Sequence, residues 1–197
     1  MGKLEFGLLC TIYFNVSFLF LQAVCDADLN ILNVVAKYPG STHDAFIWNT
    51  SALCARLEEN VADEGWLLGD SGYGLKANLL TPYLNPTTQA ERLYNRLHKK
   101  ARCTIERTFG VLKSRFHCIS KFGGALMYSP DRCCNIVVST AILHNICNRL
   151  HIPYDEQDVQ RNIPNAAVPE QHVVDEQDGI QTRNQLAMRL LQRLENN

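Results

Sequence analysis

The 197-residue sequence lacks the short motifs that mark several common kinds of site. Its eight cysteines contain no C-x-x-C pair, which argues against a zinc knuckle and against a thioredoxin-like redox site. The glycine-rich turn at residues 69–72 has neither the lysine nor the spacing of a P-loop. No segment repeats another, so the chain is not a solenoid. Most cysteines fall within apolar patterns and are interpreted as buried thiols in a reducing compartment.

Charge is nearly balanced over the whole chain, with a formal net charge of -1, but it is strongly divided along the sequence. Residues 92–121 contain nine Lys or Arg residues and a single acid, Glu106. Residues 155–178 contain seven acids and one Arg, with Pro164 and Pro169 among them. This division predicts a basic surface for a polyanion, followed by a mobile acidic tail of disordered composition. A solvated helix face accounts for part of the basic run but not for its shortage of acids.

Residues 6–24 form a strongly apolar segment after a single Lys3. The segment resembles a secretory signal peptide, yet its aromatic and β-branched residues also suit a central β-strand. The pattern alone leaves the two interpretations open. The basic chemistry downstream favours the strand, and no membrane association is expected.

The apolar periodicity predicts an α/β order of elements along the rest of the chain. Thr42 is a suitable N-cap for a helix that begins near Asp44. The predicted strands are 21–28, 31–38 and 65–70, with a turn at 28–30; the predicted helices are 44–59, 88–99, 101–118, 131–150 and 181–194.

Three acids occupy positions that suit a metal site. Asp26 lies near the end of the predicted strand 21–28, Asp70 ends the predicted strand 65–70, and Glu106 lies on a basic predicted helix. Carboxylate oxygens are the ligands that Mg²⁺ and Mn²⁺ prefer, and two such ions support in-line cleavage of a phosphodiester bond. Taken singly, each acid is better explained as a cap, a turn residue or an ion-pair partner. Asp28 is an alternative to Asp26, because a shift of two residues keeps the same strand face.

Several blocks, in order, carry a resemblance to a known family. The chain resembles the catalytic domain of the PIF/Harbinger-type DDE transposases over residues 21–150. The matching blocks are 23–28 (AVCDAD), 39–44 (PGSTHD), 66–73 (WLLGDSGY), 80–84 (LTPYL), 105–116 (IERTFGVLKSRF), 124–130 (GALMYSP) and 143–146 (LHNI). The resemblance implies an RNase H-like mixed sheet flanked by helices, DNA as substrate and a divalent metal, Mg²⁺ or Mn²⁺. It also implies Asp26 on the first strand, Asp70 on a later strand and Glu106 on a helix as the catalytic, metal-binding trio.

The resemblance divides the chain into three parts. Residues 1–20 are an atypical apolar segment, residues 21–152 are the nuclease or transposase domain, and residues 153–197 are a flexible acidic tail with an amphipathic helix. The helix-turn-helix-like region that precedes this domain in the family is not present in the sequence.

The expected function is divalent-metal-dependent cleavage or strand transfer of DNA in the nucleus. The alternative is a domesticated, non-catalytic module that binds DNA or protein; a secretory product is a third possibility if residues 6–24 act as a signal. A Myb-like DNA-binding partner is expected, and no small-molecule cofactor. Arg102, Arg107, Lys113 and Arg115 are expected to contact backbone phosphates. His43 and Asp44 are possible auxiliary residues, Tyr73 either stacks on a base or closes its turn, and His144 is expected in the core.

Overall fold

The computed structural model describes residues 6–13, 19–39, 43–59, 65–120, 123, 126–162 and 175–196. Within these ranges the fold is mixed α/β, as the sequence predicts. The strands are β1 Phe6–Tyr13, β2 Leu19–Cys25, β3 Ile31–Pro39, β4 Trp66–Leu68 and β5 Leu79–Leu80. The helices are α1 Asp44–Asn49, α2 Ala52–Glu59, α3 Gln89–Arg115, a short 3₁₀ turn His117–Ile119, α4 Pro130–Arg149, α5 Glu156–Asn162 and α6 Gln177–Glu195.

The five strands form one mixed sheet in the order β3-β2-β1-β4-β5. Strand β1 is antiparallel to β2 and parallel to β4, so the apolar amino-terminal residues form the middle strand of the sheet. The expected single strand over residues 6–24 is replaced by β1 and β2, two strands that both contain residues of this segment. No helix in the described part of the chain is long and apolar enough to cross a membrane.

Helix α3 is a single helix of 27 residues, although the sequence analysis predicted two basic helices with a break near residue 100. The residues at that point are Lys99, Lys100 and Ala101, which are strong helix formers, so nothing there ends the helix. The helix begins with a capping box: the Thr88 side chain accepts from Glu91 N, and the Glu91 carboxylate accepts from Thr88 N. Its apolar face, which includes Phe109, packs into the core.

The predicted helix 44–59 begins at Asp44 as expected, but it divides into α1 and α2. Local hydrogen bonds explain the break: the Thr50 hydroxyl donates to Phe46 O at 2.8 Å, and Ser51 Oγ accepts from Cys54 N at 3.1 Å. The N-cap residue of α1 is His43. The proposed cap Thr42 lies outside the described residues.

Helix α4 holds the β2–β3 hairpin through polar side chains of the 143–148 segment. The Asn145 amide makes two bonds to one backbone residue, accepting from Ile31 N and donating to Ile31 O, both at 2.8 Å. His144 is fully buried, with Nε2 2.8 Å from Leu29 O. Its prediction as a core histidine is therefore confirmed. Leu29 has a left-handed backbone with φ 65°, which these bonds help to hold.

The expectation of a mobile acidic tail is wrong for residues 155–162. Helix α5 packs against α3, and Val159 is buried there. The predicted carboxy-terminal helix is confirmed as α6, and it contributes Leu186 and Ala187 to the main core. Buried Arg183 lies 4.1 Å from the Tyr83 ring centroid and donates to Pro82 O at 3.1 Å. The composition of this acidic segment predicted disorder, because its few apolar side chains, which pack the two helices onto the core, lie among many charged residues.

Asn145→Ala should destabilise the protein by about 2–4 kcal/mol, because the N–H and C=O of Ile31 would both lose their partner. Urea unfolding followed by circular dichroism measures the change. Asn135→Ala, at an exposed position of the same helix, is the matched control and should change the free energy of unfolding by less than about 0.5 kcal/mol. Equal effects of the two substitutions would contradict the assigned role of Asn145.

Candidate active site

Asp70 follows β4 in a tight turn that fixes its carboxylate. Its Oδ1 accepts from Gly72 N at 3.0 Å, and its backbone O accepts from Tyr73 N at 3.2 Å. A Cβ at Gly69 would lie 3.0 Å from the Tyr73 ring and 3.1 Å from the Leu79 side chain, so these side chains would have to shift slightly to admit a larger residue. The turn thus holds one oxygen of Asp70 and leaves Oδ2 directed towards helix α3.

Helix α3 brings Glu106 to the same place by way of a shared arginine. Arg102 Nη1 lies 2.9 Å from Asp70 Oδ2, and Arg102 Nη2 lies 3.9 Å from Glu106 Oε1. The exposed fractions of the three side chains are 14%, 22% and 24% for Arg102, Asp70 and Glu106, so the cluster is partly shielded but reachable from solvent. Two of the three predicted acids therefore converge on one guanidinium group.

His98 is a fourth member of this group that the sequence analysis did not identify. It lies one turn before Arg102 on the same face of α3, is buried, and has Nε2 3.3 Å from Leu80 O. Burial lowers the pKa of His98 to about 4, and the positive charge of Arg102 acts in the same direction. The signal in the sequence was the spacing of residues 98, 102 and 106 at i, i+4 and i+8.

Asp26 is not brought to this group, and its assignment to the first strand is corrected. It follows β2, the second strand, and its carboxylate closes the hairpin turn. Asp26 Oδ1 accepts from Asp28 N at 2.9 Å and from Asn30 N at 2.8 Å, and Oδ2 accepts from Asn30 Nδ2 at 2.9 Å. Both oxygens are thus used by the turn, which is a common role for aspartate. The alternative ligand Asp28 is an exposed residue of the same turn.

The sheet register explains why Asp26 and Asp70 stay apart. Leu8 of β1 pairs with Cys25 on one side and with Leu68 on the other, so these residues share one row. Because β2 and β4 run in opposite directions, Asp26 lies on one side of this row and Asp70 lies on the other side. Two strand spacings of ~4.8 Å and three rises of ~3.3 Å place the two Cα atoms roughly 14 Å apart. The carboxylates are too distant to share one ion.

With Asp26 held in its own turn, the described residues around Arg102 supply two carboxylates, which is too few for a pair of ions. Mg²⁺ is commonly held by one or two carboxylates, with water and phosphate oxygens completing its shell, and Asp70 with Glu106 supplies that number. Within the described ranges, no group of three or more His, Cys, Asp or Glu side chains is placed to hold a metal.

Two of the four predicted phosphate-contacting residues are engaged by the chain that follows α4. Arg107 donates to the Glu156 carboxylate at 2.8 Å and to the Tyr154 hydroxyl at 3.2 Å. Arg115 donates to Asn148 Oδ1 and to Ile152 O, each at 2.7 Å, so its guanidinium is part of the packed structure. Arg102 is in the acid group described above, and Lys113 is half-buried.

The remaining candidates have simpler positions. His43 is exposed and caps α1 through its backbone O, which accepts from Phe46 N at 3.0 Å. Asp44 is the first residue of α1, and its side chain lies outside the described part of the structure. Tyr73 is buried, and its hydroxyl accepts from Gln22 Nε2 at 3.2 Å, which excludes stacking on a base in this conformation.

Comparison with known proteins places the chain in a family. A family model described as DDE superfamily endonuclease matches residues 14–145. The chain belongs to this transposase-derived nuclease family. It is 41% identical over 123 residues to the mouse protein named "Putative nuclease HARBI1", and 39% identical over 123 residues to the human protein of that name. Each alignment covers 62% of this chain and 35% of the relative.

A plant relative is more distant. The chain is 31% identical over 142 residues to "Protein ALP1-like" of Arabidopsis thaliana, covering 64% of this chain and 34% of the relative. The chain thus spans about a third of the length of the curated relatives it matches. No solved structure gives a significant match.

The buried neutral His98 should make the fold sensitive to mild acid. An unfolded histidine has a pKa of ~6.5. The contribution of neutral His98 to the free energy of unfolding is therefore fully present above that pH and is lost as the pH falls towards about 4. The loss of unfolding free energy between pH 7 and pH 4.5 should be about 2 kcal/mol larger in the wild type than in His98→Gln. Urea titrations at both pH values measure it, and equal losses in the two proteins would contradict the assignment.

Proposed function

We propose that the chain acts in metal-dependent cleavage of DNA phosphodiester bonds, with Asp70 and Glu106 as its ligands to a divalent cation, Mg²⁺ or Mn²⁺. The observation that carries this proposal is the convergence of the two acids, from a strand end and from a helix, on the Arg102 guanidinium. Family membership supports the reaction class. The number of carboxylates favours a single ion at this site rather than the two-ion arrangement expected from the three acids in the sequence.

Each residue of the group has a distinct task in this proposal. A bound cation would polarise a phosphate oxygen and lower the pKa of a bound water. The Gly72 N–H fixes the orientation of the Asp70 carboxylate, and the rigid α3 helix sets the position of Glu106. Arg102 supplies a positive charge at the place where phosphate charge would approach. His98, one turn before Arg102, is buried and stays neutral at physiological pH, because burial lowers its pKa to about 4, so it adds no second cation.

A non-catalytic DNA-binding module is the second candidate, and two observations favour it. Asp26 is used by its own turn, and the described residues supply only two convergent acids. In this case Arg102 remains the permanent partner of Asp70 and Glu106, and the basic residues of α3 bind the phosphate backbone. Salt-dependent DNA binding without metal-dependent nicking distinguishes this candidate from a nuclease.

Two further assignments belong to the same proposal. The five-stranded mixed sheet with α3 packed against it supports an RNase H-like fold. A nuclear location follows if chromosomal DNA is the substrate. A Myb-like partner gains no support from the described contacts or from the relatives.

Asp70→Asn and Glu106→Gln should each reduce Mg²⁺-dependent nicking of supercoiled plasmid by about 100-fold or more, because each removes one of two metal ligands. Asp26→Asn should lower the free energy of unfolding, because the carboxylate closes the β2–β3 turn. The folded variant should keep at least about a third of the wild-type activity, because Asp26 lies outside the candidate site. Gel assays on folded full-length protein measure all three. Full activity of Asp70→Asn or Glu106→Gln would exclude that residue as a ligand.

The wild type provides the control for the reaction class. Nicking that is absent in the wild type, together with DNA binding that survives both substitutions, would contradict the nuclease proposal and select the binding module. Complete loss of nicking in a folded Asp26→Asn protein would restore Asp26 to the site.

Glu156→Gln should raise affinity for duplex DNA about threefold at low salt, because Arg107 would lose its carboxylate partner and become available to phosphate. Fluorescence anisotropy with a labelled duplex measures the affinity. Gln157→Glu adds a charge at the neighbouring exposed position and should lower affinity. An unchanged dissociation constant in Glu156→Gln would contradict a DNA-binding role for Arg107.

A further inference from the structure

We propose that Arg102 is an internal counter-ion that occupies the Asp70–Glu106 pair in the metal-free protein and competes with the divalent cation for it. The inference rests on the proposed metal site and adds a positioning residue to it. Arg102 thereby lowers the affinity of the site for metal and neutralises the two acids when no metal is bound.

The contacts of Arg102 suit this role. One guanidinium nitrogen lies 2.9 Å from Asp70 Oδ2, and the other lies 3.9 Å from Glu106 Oε1. The first contact is a close ion pair, whereas the second is at the outer limit of one. A planar guanidinium can face two carboxylates from different elements at once, which a lysine ammonium does less well.

Electrostatics explains why the position requires a cation. Two carboxylates brought together in a partly shielded site repel each other unless a cation or a shared proton lies between them. Arg102 supplies that charge without any ligand. A divalent ion held by Asp70 and Glu106 would compete with the guanidinium for the same two carboxylates, so its binding would displace Arg102.

The surroundings of Arg102 restrict the alternatives. His98, one turn earlier, is buried and has its Nε2 near Leu80 O, so it does not provide the neutralising charge. Gly72 N–H already bonds the other oxygen of Asp70, which leaves Oδ2 to the competing cations. A merely structural ion pair would weaken metal binding when removed, because the acids would lose their alignment. A competing counter-ion would strengthen metal binding when removed.

Calorimetric titration of the full-length protein with Mn²⁺ tests the inference. Arg102→Gln should bind Mn²⁺ about tenfold more tightly than the wild type, since the competing charge is gone. Arg102→Lys keeps the charge and should lie between the two proteins. Arg96→Gln, at an exposed position on the same helix, is the matched control and should bind as the wild type does. Adding Asp70→Asn to Arg102→Gln should abolish the gain, which locates it at this site.

The outcomes separate the inference from the proposed function. Tighter binding by Arg102→Gln supports the inference, even if the wild type shows no measurable binding. Equal or weaker binding by folded Arg102→Gln, with a wild type that binds through Asp70, overturns the inference and leaves the metal site in place. No binding by either folded protein removes both. If Arg102→Gln does not fold, Arg102→Met, which keeps the aliphatic length without the charge, gives the same comparison.

Discussion

The contact of Asp70, Arg102 and Glu106 is the interaction on which the arrangement of the candidate site depends. It joins the end of strand β4 to the middle of helix α3, two elements that are distant in sequence. The turn after Asp70 and the continuous α3 helix are both needed to hold the three groups together. Because the acids come from separate elements, their convergence is a property of the fold rather than of any local motif.

Helix α3 is the scaffold for nearly everything else in the described structure. Its apolar face packs in the main core against the sheet, and α5 and α6 pack on it from other sides. The acidic segment that follows α4 therefore has a structural role, since Glu156 neutralises Arg107 and Val159 is buried. A basic helix partly covered by the acids of its own chain presents fewer free cations than its sequence indicates. Charge counted along a sequence overestimates the charge offered to DNA.

The sequence predicted well what depends on short-range pattern. The β2–β3 hairpin, helix α4 and helix α6 were predicted from periodicity, and the structure brings the two predicted acids Asp70 and Glu106 to the same arginine. The sequence-based predictions failed for features that depend on strand register or on the packing of one element against another. Asp26 has the right chemistry, but the antiparallel direction of β2 carries it away from Asp70. His98 was missed because its burial follows from tertiary packing, and α5 was missed because one buried valine gives no periodic signal.

A calorimetric titration of the 197-residue chain with Mn²⁺, compared with Asp70→Asn, shows whether Asp70 and Glu106 hold a metal ion. We expect the wild type to bind about one Mn²⁺ ion per chain and the folded Asp70→Asn variant to bind none. Equal binding by the two proteins, or no binding by either the folded wild type or folded Arg102→Gln, would contradict a metal site at Asp70 and Glu106. The contact with Arg102 would then be an ion pair that holds β4 to α3 and nothing more.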